Sequence, residues 1–144
     1  MSSFCLTSSN IDDSTFDRTL RTYLIIHGFI DFSNDSWILN IKNAILSQEN
    51  ANVIAVDWSQ GSAALQGDIE SIFTDPPYIT AVNNVKIVAL KTAVFLAQAN
   101  IDPLTTHCIG HSLGAHCCGE LGQSNKLDRI TGILFNCKRA YNYV

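Results

Sequence analysis

Charged residues are scarce in this chain of 144 residues: they make up 15% of the sequence, and the formal net charge is −4. Lys and Arg form no cluster of the kind that a nucleic-acid-binding surface needs, so we expect no nucleic-acid partner. No apolar run approaches the ~18 residues that a membrane-spanning helix requires, which predicts no transmembrane segment. Hydrophobic residues nevertheless reach 47%, so one folded domain with a substantial core is expected.

Signals for targeting and for metal binding are also lacking. Residues 1–10 show no charged start followed by a long apolar stretch, so no signal peptide is visible; taken alone, this predicts a cytosolic protein. The five cysteines form no Cys-x-x-Cys pair, and no metal site or cofactor is predicted. Cys108 lies in a predicted strand and Cys117 in a predicted helix, where cysteine is usually a small buried hydrophobic residue. Cys118 points away from Cys117, so no bridge is expected between those two.

Apolar residues alternate between short runs and helical spacing, in the order strand, helix, strand, helix, strand, helix, strand. This order is typical of an α/β fold, so we predict a mostly parallel sheet of about four strands with flanking helices. Residues 52–57 are expected to form a strand buried on both faces, and residues 59–77, with two glycines and two prolines, an irregular segment. The predicted strands are 22–26, 52–57, 104–109 and 129–135; the predicted helices are 36–47, 78–99 (with Val82, Val85, Ala89, Ala93 and Leu96 aligned) and 113–121.

Residues 110–114 read Gly-His-Ser-Leu-Gly, a G-x-S-x-G motif between a predicted strand and a predicted helix. This motif is typical of a nucleophile elbow, a sharp turn that presents a serine hydroxyl at the edge of a sheet. Glycine is needed on both sides because side chains there would block the turn and the approach of helix to strand. His27, Asp57 and Ser112 fall at carboxyl ends of predicted strands, where functional groups gather in parallel sheets, and Asp128 falls at the opposite end.

A second signal lies upstream, where the apolar run 23–26 ends at His-Gly-Phe. A hydrolase with such an elbow takes one backbone N–H of its oxyanion hole from a loop after an early strand. The residue after the nucleophile supplies the other. Phe29 and Leu113 stand at those two positions and are the predicted donors.

From about residue 22 to residue 132 the chain resembles the pancreatic-lipase family of animal α/β-hydrolases, which includes triacylglycerol lipases and phospholipases A1. The resemblance implies a partial α/β-hydrolase fold, with Ser112 as nucleophile and the Phe29 and Leu113 amides as oxyanion donors. It also implies an acyl-enzyme mechanism on lipid esters at a lipid–water interface, and secretion. Asn34 begins a glycosylation sequon, which fits secretion but also arises by chance. The matching segments are Leu-Ile-Ile-His-Gly-Phe at 24–29, the helix containing Trp37, Ala-Val-Asp-Trp at 55–58, the helix start at 78–88, Ile-Gly-His-Ser-Leu-Gly-Ala-His at 109–116 and Arg-Ile-Thr-Gly at 129–132.

The chain departs from the family after Gly132. The family continues with Leu-Asp-Pro, whose aspartate orients the catalytic histidine, whereas here Leu134 stands where the acid belongs. The triad order in this fold is Ser, acid, His, yet no histidine follows His116. We therefore expect neither the acid nor the histidine of the triad in this chain, and a catalytically incomplete protein. The predicted organisation is a polar lead-in at 1–21, a partial hydrolase domain at 22–135 and a divergent tail at 136–144.

The remaining histidines are poor substitutes for a catalytic base. His111 is expected to point away from the serine, and His116 to pack or face solvent one turn into the helix. His107 begins its strand at the far end from the site. His27 is expected to hold the oxyanion loop, and Asp57 to hydrogen-bond nearby loops.

Three functions remain open from the sequence: a lipase-type ester hydrolase, a non-catalytic lipid-binding or interaction protein on a lipase scaffold, or a truncated product without function of its own. The last predicted strand also predicts self-association, because its outer side is an uncovered apolar edge; the residues concerned are Ile130, Ile133, Leu134 and Phe135. The choice between triacylglycerol and phospholipid, the acyl-chain length and any activating partner are not indicated.

Overall fold

The computed structural model describes residue 11 and residues 14–62 and 76–133. They form a four-stranded parallel sheet in the order β2-β1-β3-β4, with helices between successive strands. This confirms the predicted α/β class and the sheet of about four strands. The elements are β1 (Thr22–Ile26), α1 (Ser36–Gln48), β2 (Asn52–Val56), α2 (Pro76–Gln98), a 3₁₀ turn (Pro103–Thr105), β3 (Thr106–His111), α3 (Leu113–Asn125) and β4 (Arg129–Ile133).

The two central strands form the interior of the molecule. Every residue of β1 is buried, as is all of β3 except His111. The pair is in register with Leu24 opposite Cys108 and Ile26 opposite Gly110. Helix α3 packs on β3, β4 and β1, and α2 packs against α3, so apolar side chains of strand and helix share one core. Its members include Leu24, Ile26, Ile54, Val85, Ala89, Leu96, Cys108, Cys117, Cys118 and Leu121.

The two outer strands are less covered than the two central strands. In β2, Asn52 and Ile54 are buried but Ala55 is exposed, so the expectation of a strand buried on both faces is wrong. The reason is position: within the described part of the chain, β2 is an edge strand. All of β4 is exposed, as predicted for an uncovered edge, although Leu134 and Phe135 lie outside the described residues. Self-association through β4 stays a prediction.

Helix α2 buries the predicted face, including Leu96, except at Val82. Ala81, Val85 and Ala89 are buried, whereas Val82 is 42% exposed. Ala81 lies four residues before Val85 and Val82 three, so helical spacing allows either to share its face, and packing selects Ala81. Residues Tyr78–Gln98 are also long and apolar enough to cross a membrane, although 33% of the most apolar window is buried. Lys86 and Lys91 interrupt this segment, so it is not an unbroken apolar run, and the absence of a transmembrane segment stays a prediction. Length and composition do not separate a membrane span from a core helix, and the face that contains Val85 packs in this core.

Several boundaries shift by a few residues. β3 begins at Thr106 because the preceding residues form the 3₁₀ turn, in which the Asp102 side chain accepts from the Leu104 N–H at 2.9 Å. Helix α3 continues past Leu121 to Asn125 and ends on Lys126, which is left-handed with φ 49°. The described residues leave out three parts of the predicted organisation: most of the lead-in (1–10 and 12–13), the middle of the irregular segment (63–75), and the tail.

Candidate active site

Ser112 occupies a strained bend between β3 and α3, with φ 53° and ψ −119°. A non-glycine residue rarely takes a positive φ, and such strain persists only where the surroundings enforce it. Here the Ser112 N–H donates to the Ile133 carbonyl at 2.9 Å, and the Ala115 N–H donates to the Ser112 carbonyl at 3.0 Å. The bend is thus held from β4 on one side and from the helix on the other.

The two motif glycines are required by close backbone contacts. A Cβ on Gly110 would lie 2.2 Å from the Gly114 carbonyl oxygen, and a Cβ on Gly114 would lie 2.1 Å from the Ile26 carbonyl oxygen. Neither contact involves a side chain that could move aside. The reason that the sequence suggests for both glycines is therefore confirmed.

The loop after β1 lies directly against this bend. A Cβ on Gly28 would lie 2.9 Å from the Ser112 Cβ, so the backbone next to Phe29 touches the serine. Ile30 is a second strained residue, with φ 62°, and its N–H donates to the Ser62 carbonyl at 3.2 Å. The Phe29 ring meets the Tyr78 ring edge-on, with centroids 5.1 Å apart.

Leu113 is the first residue of α3. The first N–H groups of a helix have no acceptor within the helix and carry a partial positive charge. The structure therefore brings the segments of all three predicted site residues, Phe29, Ser112 and Leu113, to one corner at the carboxyl edge of the sheet.

His27 fixes the loop after β1 in the way the sequence predicts. Its side chain is fully buried, and Nδ1 donates to the Gly28 carbonyl at 3.0 Å. Nε2 accepts from the Trp58 backbone N–H at 3.1 Å, and the Trp58 indole N–H donates back to the His27 carbonyl at 2.8 Å. Both ring nitrogens are thus committed to holding the loop against β2.

Asp57 bonds neighbouring loops, also as predicted. Its Oδ1 accepts from the Ser59 N–H at 2.9 Å and its Oδ2 from the Ser33 hydroxyl at 2.8 Å. Partial burial acts to raise the pKa of Asp57, but the hydrogen bonds from Ser59 and Ser33 outweigh burial and hold that pKa below its usual value.

The other histidines lie on β3 and α3. The His111 Nδ1 donates to Asp31 Oδ2 at 2.9 Å, and its ring packs 5.2 Å from the Trp37 ring. His116 is exposed on α3. His107 lies at the amino end of β3, with Nε2 2.9 Å from the Thr131 hydroxyl. Burial, and secondarily the charges of two nearby arginines, holds the pKa of His107 below its usual value.

A disulfide joins Cys108 of β3 to Cys118 of α3, with the Cα atoms 5.7 Å apart. Cys108 is buried, as predicted, but it is bonded rather than packed as an unmodified small residue. Both cysteines face the interface where α3 folds back onto β3. Cys117 is buried, as predicted, and its thiol is free; burial raises its pKa to about 12. The sequence gives one usable signal for the pair: Cys108 and Cys118 flank the elbow on two elements that must pack together.

Comparison with known proteins agrees with this geometry. A sequence model of the family described as Lipase matches residues 3–136. The chain belongs to the pancreatic lipase family. It is 37% identical over 132 residues to pancreatic triacylglycerol lipase of Myocastor coypus, covering 88% of the chain and 26% of that protein.

Two human relatives of the pancreatic lipase family are similar to the same extent. Human inactive pancreatic lipase-related protein 1 is 38% identical over 130 residues, covering 87% of the chain and 25% of that protein. Human pancreatic triacylglycerol lipase is 36% identical over 132 residues, covering 88% of the chain and 26% of that protein. The chain thus spans about a quarter of the length of these relatives.

Proposed function

We propose that this chain is the nucleophile-bearing part of a lipase-type carboxylic ester hydrolase. In this proposal Ser112 is the nucleophile, and the backbone N–H groups of Phe29 and Leu113 form the oxyanion hole. The observation that carries the proposal is the strained Ser112 bend in contact with the Gly28 backbone. Strain of this kind concentrates at functional sites, where it preorganises the reacting groups.

The chemistry follows from the arrangement. The Ser112 hydroxyl oxygen attacks the ester carbonyl carbon, and the two N–H groups receive the negative charge that develops on the carbonyl oxygen. The alcohol leaves with a proton, and water then hydrolyses the acyl-enzyme. The positive end of α3 favours the same charge. On the basis of the family resemblance, we propose that the substrate is a triacylglycerol or a phospholipid at a lipid–water interface.

We propose that these 144 residues alone hydrolyse esters only at trace rates. Leu134 stands where the resemblance places the acid, and no histidine follows His116 among these residues, so they supply neither partner for activating Ser112. Loss of a triad member costs up to about a millionfold in turnover, while an oxyanion hole and binding alone retain roughly 10³–10⁴ over water.

An extracellular location is part of the proposal. The Cys108–Cys118 disulfide supports it, because disulfides form and persist in oxidising compartments and are rare in the cytosol. The exposed Asn34 of the sequon agrees with the same location.

A second candidate function is non-catalytic lipid binding on a lipase scaffold. The similarity to a relative that is named inactive favours it, as does the substitution at Leu134. The complete Gly-His-Ser-Leu-Gly motif and its strained serine favour the hydrolase instead.

A chimera separates the two candidates. Residues 22–133 replace the matching segment of pancreatic triacylglycerol lipase, which supplies an acid and a histidine from the rest of that chain, and tributyrin hydrolysis is measured. The proposed function expects hydrolysis that Ser112→Ala abolishes. A chimera that is folded by circular dichroism and binds lipid vesicles, yet is no more active than its Ser112→Ala variant, would contradict the hydrolase.

The isolated chain provides the companion measurement. With a short-chain p-nitrophenyl ester, purified protein and its Ser112→Ala variant are expected to differ only at trace level. Serine-dependent turnover of several per second would show that the proposed incompleteness is wrong.

A further inference from the structure

One carboxylate joins the two segments of the candidate site. Oδ2 of Asp31 accepts from the Gly28 backbone N–H at 3.1 Å and from the His111 Nδ1 at 2.9 Å. Gly28 directly precedes Phe29, and His111 directly precedes Ser112. A single oxygen atom therefore bonds the residue before the proposed amide donor and the residue before the proposed nucleophile.

The surroundings make this bridge effective. The side chains of Asp31 and His111 are only 25% and 21% exposed, and hydrogen bonds to an ionised carboxylate are stronger than neutral ones. The Trp37 ring covers His111 from 5.2 Å. A Cβ on Gly28 would also lie 3.0 Å from the His111 carbonyl oxygen, so the loop backbone has little room beside the elbow.

Two strained residues border the bridge. Ile30, with φ 62°, is next to Asp31 in the chain, and Ser112, with φ 53°, is next to His111. Such conformations persist only when neighbouring contacts over-determine them. Asp31 contacts both segments, whereas the His27 and Trp58 bonds reach the loop alone.

We propose that Asp31 is the positioning residue of this site. Its carboxylate sets the spacing between the Phe29 amide and the Ser112 hydroxyl by holding Gly28 and His111 to one point. The residue acts through the loop and the elbow. Its catalytic meaning rests on the proposed function, but its structural action does not.

Hydrogen exchange of single amides in the ¹⁵N-labelled 144-residue chain tests the structural action. Asp31→Ala removes the acceptor of the Gly28 N–H, so exchange at Gly28 is expected to rise at least about tenfold, while the β1 amides of Leu24 and Ile25 keep their rates. Asp31→Asn retains an acceptor oxygen and is expected to give a smaller rise. Unchanged exchange at Gly28, or an equal rise throughout β1, overturns the proposal.

Asp35→Ala is the matched control in the same loop, because Asp35 Oδ2 accepts from a different amide, the Phe32 N–H, at 2.9 Å. It should raise exchange at Phe32 and leave Gly28 unchanged. If Asp31→Ala does not fold, Asp31→Asn decides: at least a threefold rise at Gly28 supports the bridge, and no rise overturns it.

The lipase chimera tests the positioning role. Misplacement of about 1 Å costs roughly 10² in rate, so Asp31→Ala is expected to lower kcat ~10- to 100-fold at nearly unchanged KM, with partial recovery in Asp31→Asn. Equal kcat in Asp31→Ala overturns the role. A chimera that is inactive with Asp31 intact instead counts against the proposed function, and the exchange result at Gly28 then still decides the bridge.

Discussion

The two ends of the parallel sheet are held in different ways. At the carboxyl end, Ile30 and Ser112 adopt strained positive φ values, and Gly110 and Gly114 admit backbone contacts that a side chain would block. At the amino end, side chains pair without such strain: Arg21 with Asp128, Tyr23 with Glu49, and His107 with Thr131.

The difference between the two ends of the sheet remains when the other positive φ angles are considered. Asn100 and Lys126 have φ 55° and 49°, but each follows a helix, where a left-handed residue is an ordinary way to end it. Ser112 instead begins a helix, with ψ −119°, outside the left-handed helical region. Within the described part of the chain, positive-φ strain without a role in ending a helix is thus confined to the carboxyl end, the end at which parallel sheets bind ligands.

The largest expected effect on stability comes from a substitution that disrupts the carboxyl end of the sheet. Gly114→Ala places a methyl group 2.1 Å from a backbone oxygen of β1, so the free energy of unfolding should fall by about 3 kcal/mol or more. Gly119→Ala on the same helix meets nothing within 4 Å and should be neutral or stabilising by up to ~1 kcal/mol. Urea unfolding followed by tryptophan fluorescence compares them; equal stability of the two variants would remove the contrast.

The disulfide gives the next largest effect. Cys118→Ala removes the covalent link between β3 and α3 and is expected to lower the free energy of unfolding by about 2–4 kcal/mol. Urea unfolding with and without a reductant measures the loss. The reductant should destabilise the wild type and leave Cys118→Ala unchanged; a wild type indifferent to it, with reduction confirmed by mass spectrometry, would contradict the prediction.

The smallest effect belongs to the amino end. The folded pKa of His107 is held below the usual 6.5, so on acidification the unfolded chain binds the proton first and folding stability falls. Between about pH 7.5 and 5.5, His107→Gln should lose less stability than the wild type. The same pH dependence of the free energy of unfolding in wild type and His107→Gln would contradict this prediction.

The sequence predicts the parts of the molecule that depend on near neighbours. β1, the elbow and the need for Gly110 and Gly114 follow from local patterns, because strand, turn and helix there are consecutive. The burial of β2 does not follow from local patterns, because whether Ala55 is covered depends on the position of its strand in the sheet.

The bridge through Asp31 was beyond local reasoning for a related cause. It connects residues 80 positions apart in the chain, and no spacing rule relates an aspartate in one loop to a histidine in another. The disulfide was missed because a cysteine in an apolar strand has the same pattern as any small hydrophobic residue.

The hydrogen bond from the Ser112 amide to the Ile133 carbonyl sets a lower limit on any dissection of this lipase fold. A peptide that ends before residue 133 still carries the whole pentapeptide but loses the carbonyl that accepts the Ser112 N–H. The motif and its conformation are therefore separable properties: the first can be cut out and expressed, while the second also depends on β4.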